Sequence, residues 1–186
     1  MAKLIYVANV SLDGCIEDAH GSFEWTAPSD EVFTFITDLV RPVGTWLYGR
    51  RMYETMAVWE TQPALAAQSE LMADFANLWQ AADKIVYSTT LHAVSTANPR
   101  LERRFDPDSV RDMKTSAASD LTVGGPTLAA HAFNAGLVDE CQLFVYPVLV
   151  GDGPGIFAGG ERRGLDLVEA TAFPSGVTLL RYDRRR

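Results

Sequence analysis

The chain has 186 residues, of which 47% are hydrophobic and 22% charged, and carries a formal net charge of −8. This length suits one domain, expected to span residues 1–186, with a sizeable buried core, and the composition excludes disordered and fibrous classes. The acidic balance argues against broad contact with nucleic acid or anionic membrane, both polyanions, but leaves room for a small anionic ligand where arginines are concentrated.

No stretch approaches the ~20 apolar residues needed to span a bilayer, and Met1-Ala2-Lys3-Leu4-Ile5-Tyr6 reads as a strand rather than a signal peptide. A cytoplasmic location is therefore expected. Cys15 and Cys141 are far apart and form no CxxC pair, which predicts two reduced thiols. His20, His92 and His131 lack metal-ligand spacing, so no metal site is expected.

A first strand is predicted from Lys3 to Asn9, followed by a glycine-bearing loop through Ser11-Leu12-Asp13-Gly14 and His20-Gly21. Ser29 or Asp30 caps a helix whose Val32, Phe33, Ile36, Leu39 and Val40 recur at helical spacing. A second strand, Thr45 to Tyr48, ends at Gly49, where a short helix begins, and another helix is predicted from Ala66 to Trp79. Lys84 to Ser88 reads as a short strand ending in hydroxyl residues, Arg100 to Phe105 as a further strand, and Asp106 to Ser116 as a helix.

The apolar run Leu121-Thr122-Val123 stops on Gly124-Gly125, and a helix opens with Pro126 and closes at Gly136. Cys141 to Val150 reads as a long, central apolar strand, and Leu165–Phe173 with Val177–Tyr182 as a closing hairpin turned at Pro174-Ser175-Gly176. The three arginines of the C-terminal tail read as a solvated end. The pattern is α/β, turning antiparallel at the end.

Three strand ends offer phosphate-compatible groups: Gly49 with Arg50 and Arg51, Ser88 with Thr89 and Thr90, and Gly124-Gly125 with Pro126 and Thr127. A strand that stops on glycine and turns into a helix presents backbone N–H groups and a helix dipole to an anion, and parallel strands bring such ends to one edge. Each junction alone also reads as a tight turn with surface charges; the three together point to a nucleotide cofactor. The G-x-G-x-x-G fingerprint is absent, so an ordinary Rossmann site is not expected.

Ser11-Leu12-Asp13-Gly14, Tyr48-Gly49-Arg50-Arg51-Met52-Tyr53-Glu54, Tyr87-Ser88-Thr89-Thr90, Val123-Gly124-Gly125-Pro126 and Pro147-Val148-Leu149-Val150-Gly151-Asp152-Gly153 occur in the order seen in the dihydrofolate reductase-like superfamily. Over essentially its whole length the chain resembles the group of the C-terminal reductase domain of bifunctional riboflavin-biosynthesis deaminase-reductases. The deaminase signature, H-x-E followed by P-C-x-x-C, is absent. The resemblance implies a three-layer α/β/α fold with a mixed, mostly parallel central sheet and an antiparallel C-terminal hairpin.

It also implies NADPH as cofactor, with Gly49, Arg50, Arg51 and Met52 around the phosphates, Ser88 and Thr89 near the adenosine 2′-phosphate, and Gly124, Gly125, Pro126, Thr127 and Leu128 under the pyrophosphate. Ala8, and Gly14 and Ile16 within the Asp13 to Ile16 segment, would border the nicotinamide. The implied activity is hydride transfer to a C=N or C=O group of a small pteridine- or aminopyrimidine-like heterocycle, in a homodimer.

Asp30, in Pro28-Ser29-Asp30-Glu31, resembles the acid that folate reductases carry early in their first long helix, and is the candidate proton source or substrate anchor. It reads equally as an acid favoured by the helix dipole. Folate reductases also hold an arginine just before the third strand; Ala82 stands there, with Lys84 nearby, which argues against folate itself. Trp25, Trp46, Trp59 and Trp79 could stack on a heterocycle, although tryptophans more often serve the core or an interface. The alternatives are a non-catalytic nucleotide-binding or sensing domain of the same fold, and a partner-binding protein in which the glycines are only turns.

Overall fold

A computed structural model describes residues 1–185. Strands β1 (Leu4–Ser11), β2 (Val43–Gly49), β3 (Asp83–Tyr87), β4 (Pro99–Glu102), β5 (Asp120–Gly124), β6 (Glu140–Tyr146), β7 (Leu165–Ala172) and β8 (Thr178–Arg184) form one sheet in the order β4-β3-β2-β5-β1-β6-β8-β7. Every pairing from β4 across to β6 is parallel, and β8 pairs antiparallel with both β6 and β7. The fold is the expected mixed, mostly parallel sheet with an antiparallel C-terminal hairpin.

The helices are α1 (Asp30–Val40), α2 (Arg50–Met56), α3 (Val58–Thr61), α4 (Pro63–Ala66), α5 (Glu70–Ala81), α6 (Pro107–Ser116) and α7 (Pro126–Asn134). Burial sorts them into two layers. Val110 of α6 and Leu128, Ala129 and Ala132 of α7 close over Leu4, Tyr6, Leu47, Leu121 and Val123 on one face of the sheet. On the other face Val40 of α1, Tyr53 of α2 and Phe75 and Trp79 of α5 cover Trp46, Tyr48 and Val86, while Val32 of α1 packs with Phe144, Tyr146 and Leu179. Among the described residues no helix is long and apolar enough to cross a membrane.

Local chemistry sets the boundaries. Ser29, Ser69 and Asp106 cap α1, α5 and α6, each side chain accepting a backbone N–H of the first turn. The Ser69 cap starts α5 at Glu70, later than the expected Ala66, and the preceding residues form the short α3 and α4, the latter opened by Pro63. At the end of α7, Gly136 at φ +65° lets its own N–H reach the Phe133 carbonyl at 2.9 Å and Leu137 N reach Ala132 O at 2.9 Å.

Two strands are shorter than expected. β6 stops at Tyr146 instead of running to Val150, because Pro147 has no N–H to give to the ladder and the backbone beyond it pairs with the loop after β1. There Leu12 N donates to Val148 O at 2.8 Å, and Gly151 N to the Asp13 carboxylate at 2.8 Å. β4 ends at Glu102, short of Phe105, as Arg103 turns back to donate to the Ser88 and Leu91 carbonyls at 3.1 and 2.5 Å.

Candidate active site

β1 pairs with β5 only from Leu4 to Tyr6, but with β6 as far as Ser11 opposite Tyr146. Beyond Tyr6, therefore, β1 runs on alone past the end of β5, and Val7, Ala8 and Asn9 are half-buried in the middle of the sheet. A crevice opens there, at the carboxyl ends of parallel strands and beside the strand inserted out of chain order, where open α/β sheets hold ligands. The ends of β2, β3 and β5, at Gly49, Tyr87 and Gly124, lie along the same edge, so the three phosphate-compatible junctions share it.

Gly124 is favoured by close approach and Gly125 by its backbone conformation. A Cβ on Gly124 would lie 3.0 Å from Met52 Cγ and 3.0 Å from Tyr48 Cδ1, and Gly125 holds φ +93°, a conformation that L side chains rarely adopt. Gly125 is the N-cap of α7 and supplies no side-chain acceptor, in contrast to Ser29, Ser69 and Asp106 on the other long helices. The first turn of α7 is thus left without a side-chain partner, an arrangement suited to an anion. Thr127 is exposed beside it, Pro126 is half-buried, and the Leu128 side chain is turned into the core, which leaves only its N–H for the edge.

Gly49 caps α2, again with no side-chain acceptor, and a Cβ there would come within 3.8 Å of Leu128 Cβ, so the openings of α2 and α7 adjoin. Met52 fills the space between them. The arginines are engaged with acids: Arg50 lies 3.6 Å from Glu54, and Arg51 lies 2.8 Å from Glu17, in the loop after β1. Tyr53 points inward and pins the far loop, its hydroxyl accepting from Ser95 N and Thr96 N at 2.8 and 3.0 Å.

The loop that follows β1 is held rigidly. Ile16 N donates to Pro154 O at 3.0 Å and Ile156 N to Gly14 O at 2.9 Å, while Gly14 sits at φ +88°. The Asp13 carboxylate accepts from Ser11 Oγ at 2.6 Å and from Gly151 N at 2.8 Å, and these bonds hold it below the usual carboxylate range. Gly14 and Ile16 are half-buried at the mouth of the crevice, and the Ile16 side chain packs on the α7-side core.

Several expectations are corrected. The Ser88 hydroxyl is buried and committed to its own turn, accepting from Thr90 N at 3.2 Å and Leu91 N at 2.9 Å. Thr89 is exposed, and the cation beside this strand end is Arg103, which the spacing of motifs did not single out. Asp30 is exposed at the first position of α1 rather than held in a semi-apolar cleft. Lys84 is 2% exposed and points into the fold, where its ammonium donates to Trp79 O and Ala82 O, both at 2.7 Å, and lies 4.4 Å from the centre of the Trp79 ring. It closes the C-terminus of α5 and is not a substrate contact.

Three of the tryptophans are packing residues: Trp46 and Trp79 are buried, with Trp79 Nε1 donating to Tyr48 OH at 3.0 Å, and Trp59 packs 4.8 Å from Phe75. Trp25 differs. It is half-buried beside the crevice and meets Tyr146 edge to face at 6.0 Å. On the opposite side of the sheet Tyr87, Phe105 and His131 form an aromatic shelf, with Phe105 5.5 Å from Tyr87 and stacked at 6.0 Å on the imidazole.

This crevice, set in a three-layer sandwich with six parallel strands and a reversed β8, defines an α/β protein with the dihydrofolate reductase-like fold. The chain belongs to the RibD C-terminal domain family, whose profile matches residues 2–179. It is 26% identical over 182 residues to YyaP of Bacillus subtilis (strain 168), an uncharacterised protein, covering 97% of this chain and 94% of that one. A structure named for riboflavin biosynthesis from Shewanella sp. PV-4 superposes with a TM-score of 0.73 at 20% identity over all of both chains.

A pyrimidine reductase-like protein of Corynebacterium diphtheriae gives a TM-score of 0.65 at 11% identity, covering all of this chain and 92% of that one. The Thermotoga maritima diaminohydroxyphosphoribosylaminopyrimidine deaminase/5-amino-6-(5-phosphoribosylamino)uracil reductase gives 0.67 at 14% identity. This chain covers 57% of that longer protein. At these identities the structural likeness speaks to the fold.

Proposed function

We propose that the chain is an NADPH-dependent reductase that transfers hydride to a C=N or C=O group of a small heterocycle of pteridine or aminopyrimidine type. The observation that carries this reading is the bare, glycine-capped opening of α7 beside a crevice at the end of β1, in a chain of the RibD C-terminal domain family. The first turn of α7, which no side chain caps, offers backbone N–H groups suited to a pyrophosphate.

In this reading Gly124, Gly125 and the N–H groups of Thr127 and Leu128 hold the pyrophosphate. Gly49, Arg50, Arg51 and Met52 flank it, and Thr89 and Arg103 face the 2′-phosphate in place of the buried Ser88 hydroxyl. Tyr87, Phe105 and His131 provide a stacking surface for the adenine. Ala8, Gly14 and Ile16 border the nicotinamide, which when bound supplies the hydride; the protein's part is orientation and exclusion of water. Arginine and hydroxyl partners for an extra dianion favour NADPH over NADH.

Asp30 is the candidate proton source, and its exposure is the observation that favours the second reading, a nucleotide-binding or sensing domain without turnover. A homodimer is part of the proposal: β7 is an edge strand whose Leu167 and Val168 are 57% and 54% exposed, and a second copy would cover them. The test of function is NADPH oxidation, followed by absorbance with a panel of pteridines and aminopyrimidines, for the native chain and Asp30→Asn. Turnover by the native chain that falls in the variant, at unchanged NADPH affinity, supports the reductase. Tight NADPH binding with no oxidation on any member favours the sensor.

A further inference from the structure

The geometry points to Tyr146 and Trp25 as a pair of hydrogen-bond donors that reads a ring carbonyl on the substrate. The inference rests on the reductase reading for where the substrate lies, and adds which residues recognise it and through what chemistry.

Among the described residues, four buried side-chain polar atoms lack a partner: Trp25 Nε1, Trp46 Nε1, Thr122 Oγ1 and Tyr146 OH. An unmade bond at such an atom costs roughly 1–3 kcal/mol, so each calls for an explanation. Trp46 and Thr122 are register partners in the β2–β5 pairing and stand on one face of the sheet two residues before its edge. The other two lie elsewhere and together. Tyr146 is the last residue of β6, opposite Ser11 at the end of β1, and Trp25 packs against it edge to face at 6.0 Å.

Side chains alternate along β6, so Tyr146 shares its face with Phe144, whose register partner is Asn9. Val7, next to Ala8 at the expected nicotinamide position, packs in the same apolar cluster as Tyr146 and Trp25. Ala8 itself turns to the opposite face, with Ile16 and the α7-side cluster, so cofactor seat and donor pair flank the same half-buried stretch of β1, Val7 to Asn9, from its two faces. Tyr146 is 4% exposed, and burial pushes its phenol up to about 12, so that it stays protonated at neutral pH and can donate. An indole N–H only donates. Two donors side by side in an apolar cluster match a heterocycle edge bearing carbonyl oxygens, and disfavour an edge bearing amino groups in their place.

The test uses the full chain, Tyr146→Phe and Trp25→Phe, with two probes of one shape: lumazine, which bears two ring carbonyls, and 2,4-diaminopteridine, which bears amino groups in their place. Binding is measured by calorimetry with and without NADPH, and thermal midpoints are recorded for the free proteins. Lumazine should bind the native chain more tightly than the diamino compound and lose about tenfold in each variant, at unchanged NADPH affinity. Free Tyr146→Phe should melt no lower than the native chain, because it sheds an unpartnered hydroxyl.

Equal lumazine affinity in native chain and Tyr146→Phe overturns the assignment, as does failure of the native chain to bind lumazine. A lower melting point for free Tyr146→Phe also overturns it, since the hydroxyl would then serve the fold. Lumazine binding with the stated losses but no NADPH binding keeps the donor pair and removes the reductase reading.

Discussion

Arg51 Nη2 lies 2.8 Å from one carboxylate oxygen of Glu17 and 3.0 Å from the other, and so ties the first turn of α2 to the loop that follows β1. The Glu17 side chain is 13% exposed and that of Arg51 68%, which leaves the guanidinium at the surface of the crevice with an acid as its resting partner. A phosphate bound at α2, as the proposed function requires, would compete with Glu17 for this cation.

Glu17→Gln should therefore tighten NADPH binding by about 0.5–1 kcal/mol, with the gain shrinking as salt rises. Arg50→Ala, which removes a charge-assisted contact, should weaken it by about 1–3 kcal/mol. Calorimetry at two salt concentrations checks both. Unchanged affinity in Arg50→Ala would take that residue out of the site.

Gly125→Ala places a side chain at φ +93° on the helix cap that faces the crevice. The strain should cost about 1–3 kcal/mol of stability, seen in urea denaturation, and NADPH affinity should fall as well because the cap N–H groups move. A variant as stable as the native chain with full cofactor affinity would show that the cap is not the phosphate seat.

Much of this was legible in the sequence, and the reasons are local. The Gly124-Gly125-Pro126 junction, the Ser29 cap and the Gly136 stop are each set by the conformational preferences of a few adjacent residues, which sequence displays directly. The hydroxyl run Ser88-Thr89-Thr90 suggests a ligand site, but a serine at a strand end first satisfies the N–H groups of its own turn. Arg103 and Glu17 gain their meaning from contacts across 15 and 34 positions of chain, beyond any local pattern. The Arg100, Arg103 and Arg104 cluster in a chain of net charge −8 was the one available signal for Arg103.

Lys84 illustrates the same limit. Its position before an apolar strand invited comparison with a substrate-binding cation, yet its ammonium binds three carbonyls at the end of α5. Lys84→Met should lower stability by about 1.5–3 kcal/mol, the range for losing hydrogen bonds to a charged group, and leave NADPH affinity unchanged. Loss of cofactor binding in a folded Lys84→Met protein would contradict this placement.

Glu140, 3% exposed on β6, gives a pH dependence. Burial by itself would raise its pKa, but hydrogen bonds from Lys3 at 2.8 Å and Gln142 at 2.6 Å, with Arg181 adjacent, outweigh burial and hold the carboxyl below its ordinary 4.5. A carboxyl with a depressed folded pKa contributes stability that is present above the unfolded value and lost as pH falls through the folded one. Urea midpoints should fall on acidification from about pH 6 to about pH 3, and the slope should be shallower in Glu140→Gln. An equal slope in the two proteins would place the acid sensitivity elsewhere.

The central claim is that the glycine-capped edge holds NADPH. Titration of the purified chain with NADPH and, in parallel, NADH, followed by nicotinamide fluorescence, tests it most directly. Micromolar binding of NADPH with much weaker binding of NADH is the predicted result. If neither nucleotide binds, the cradle is a set of turns and the reductase assignment is wrong.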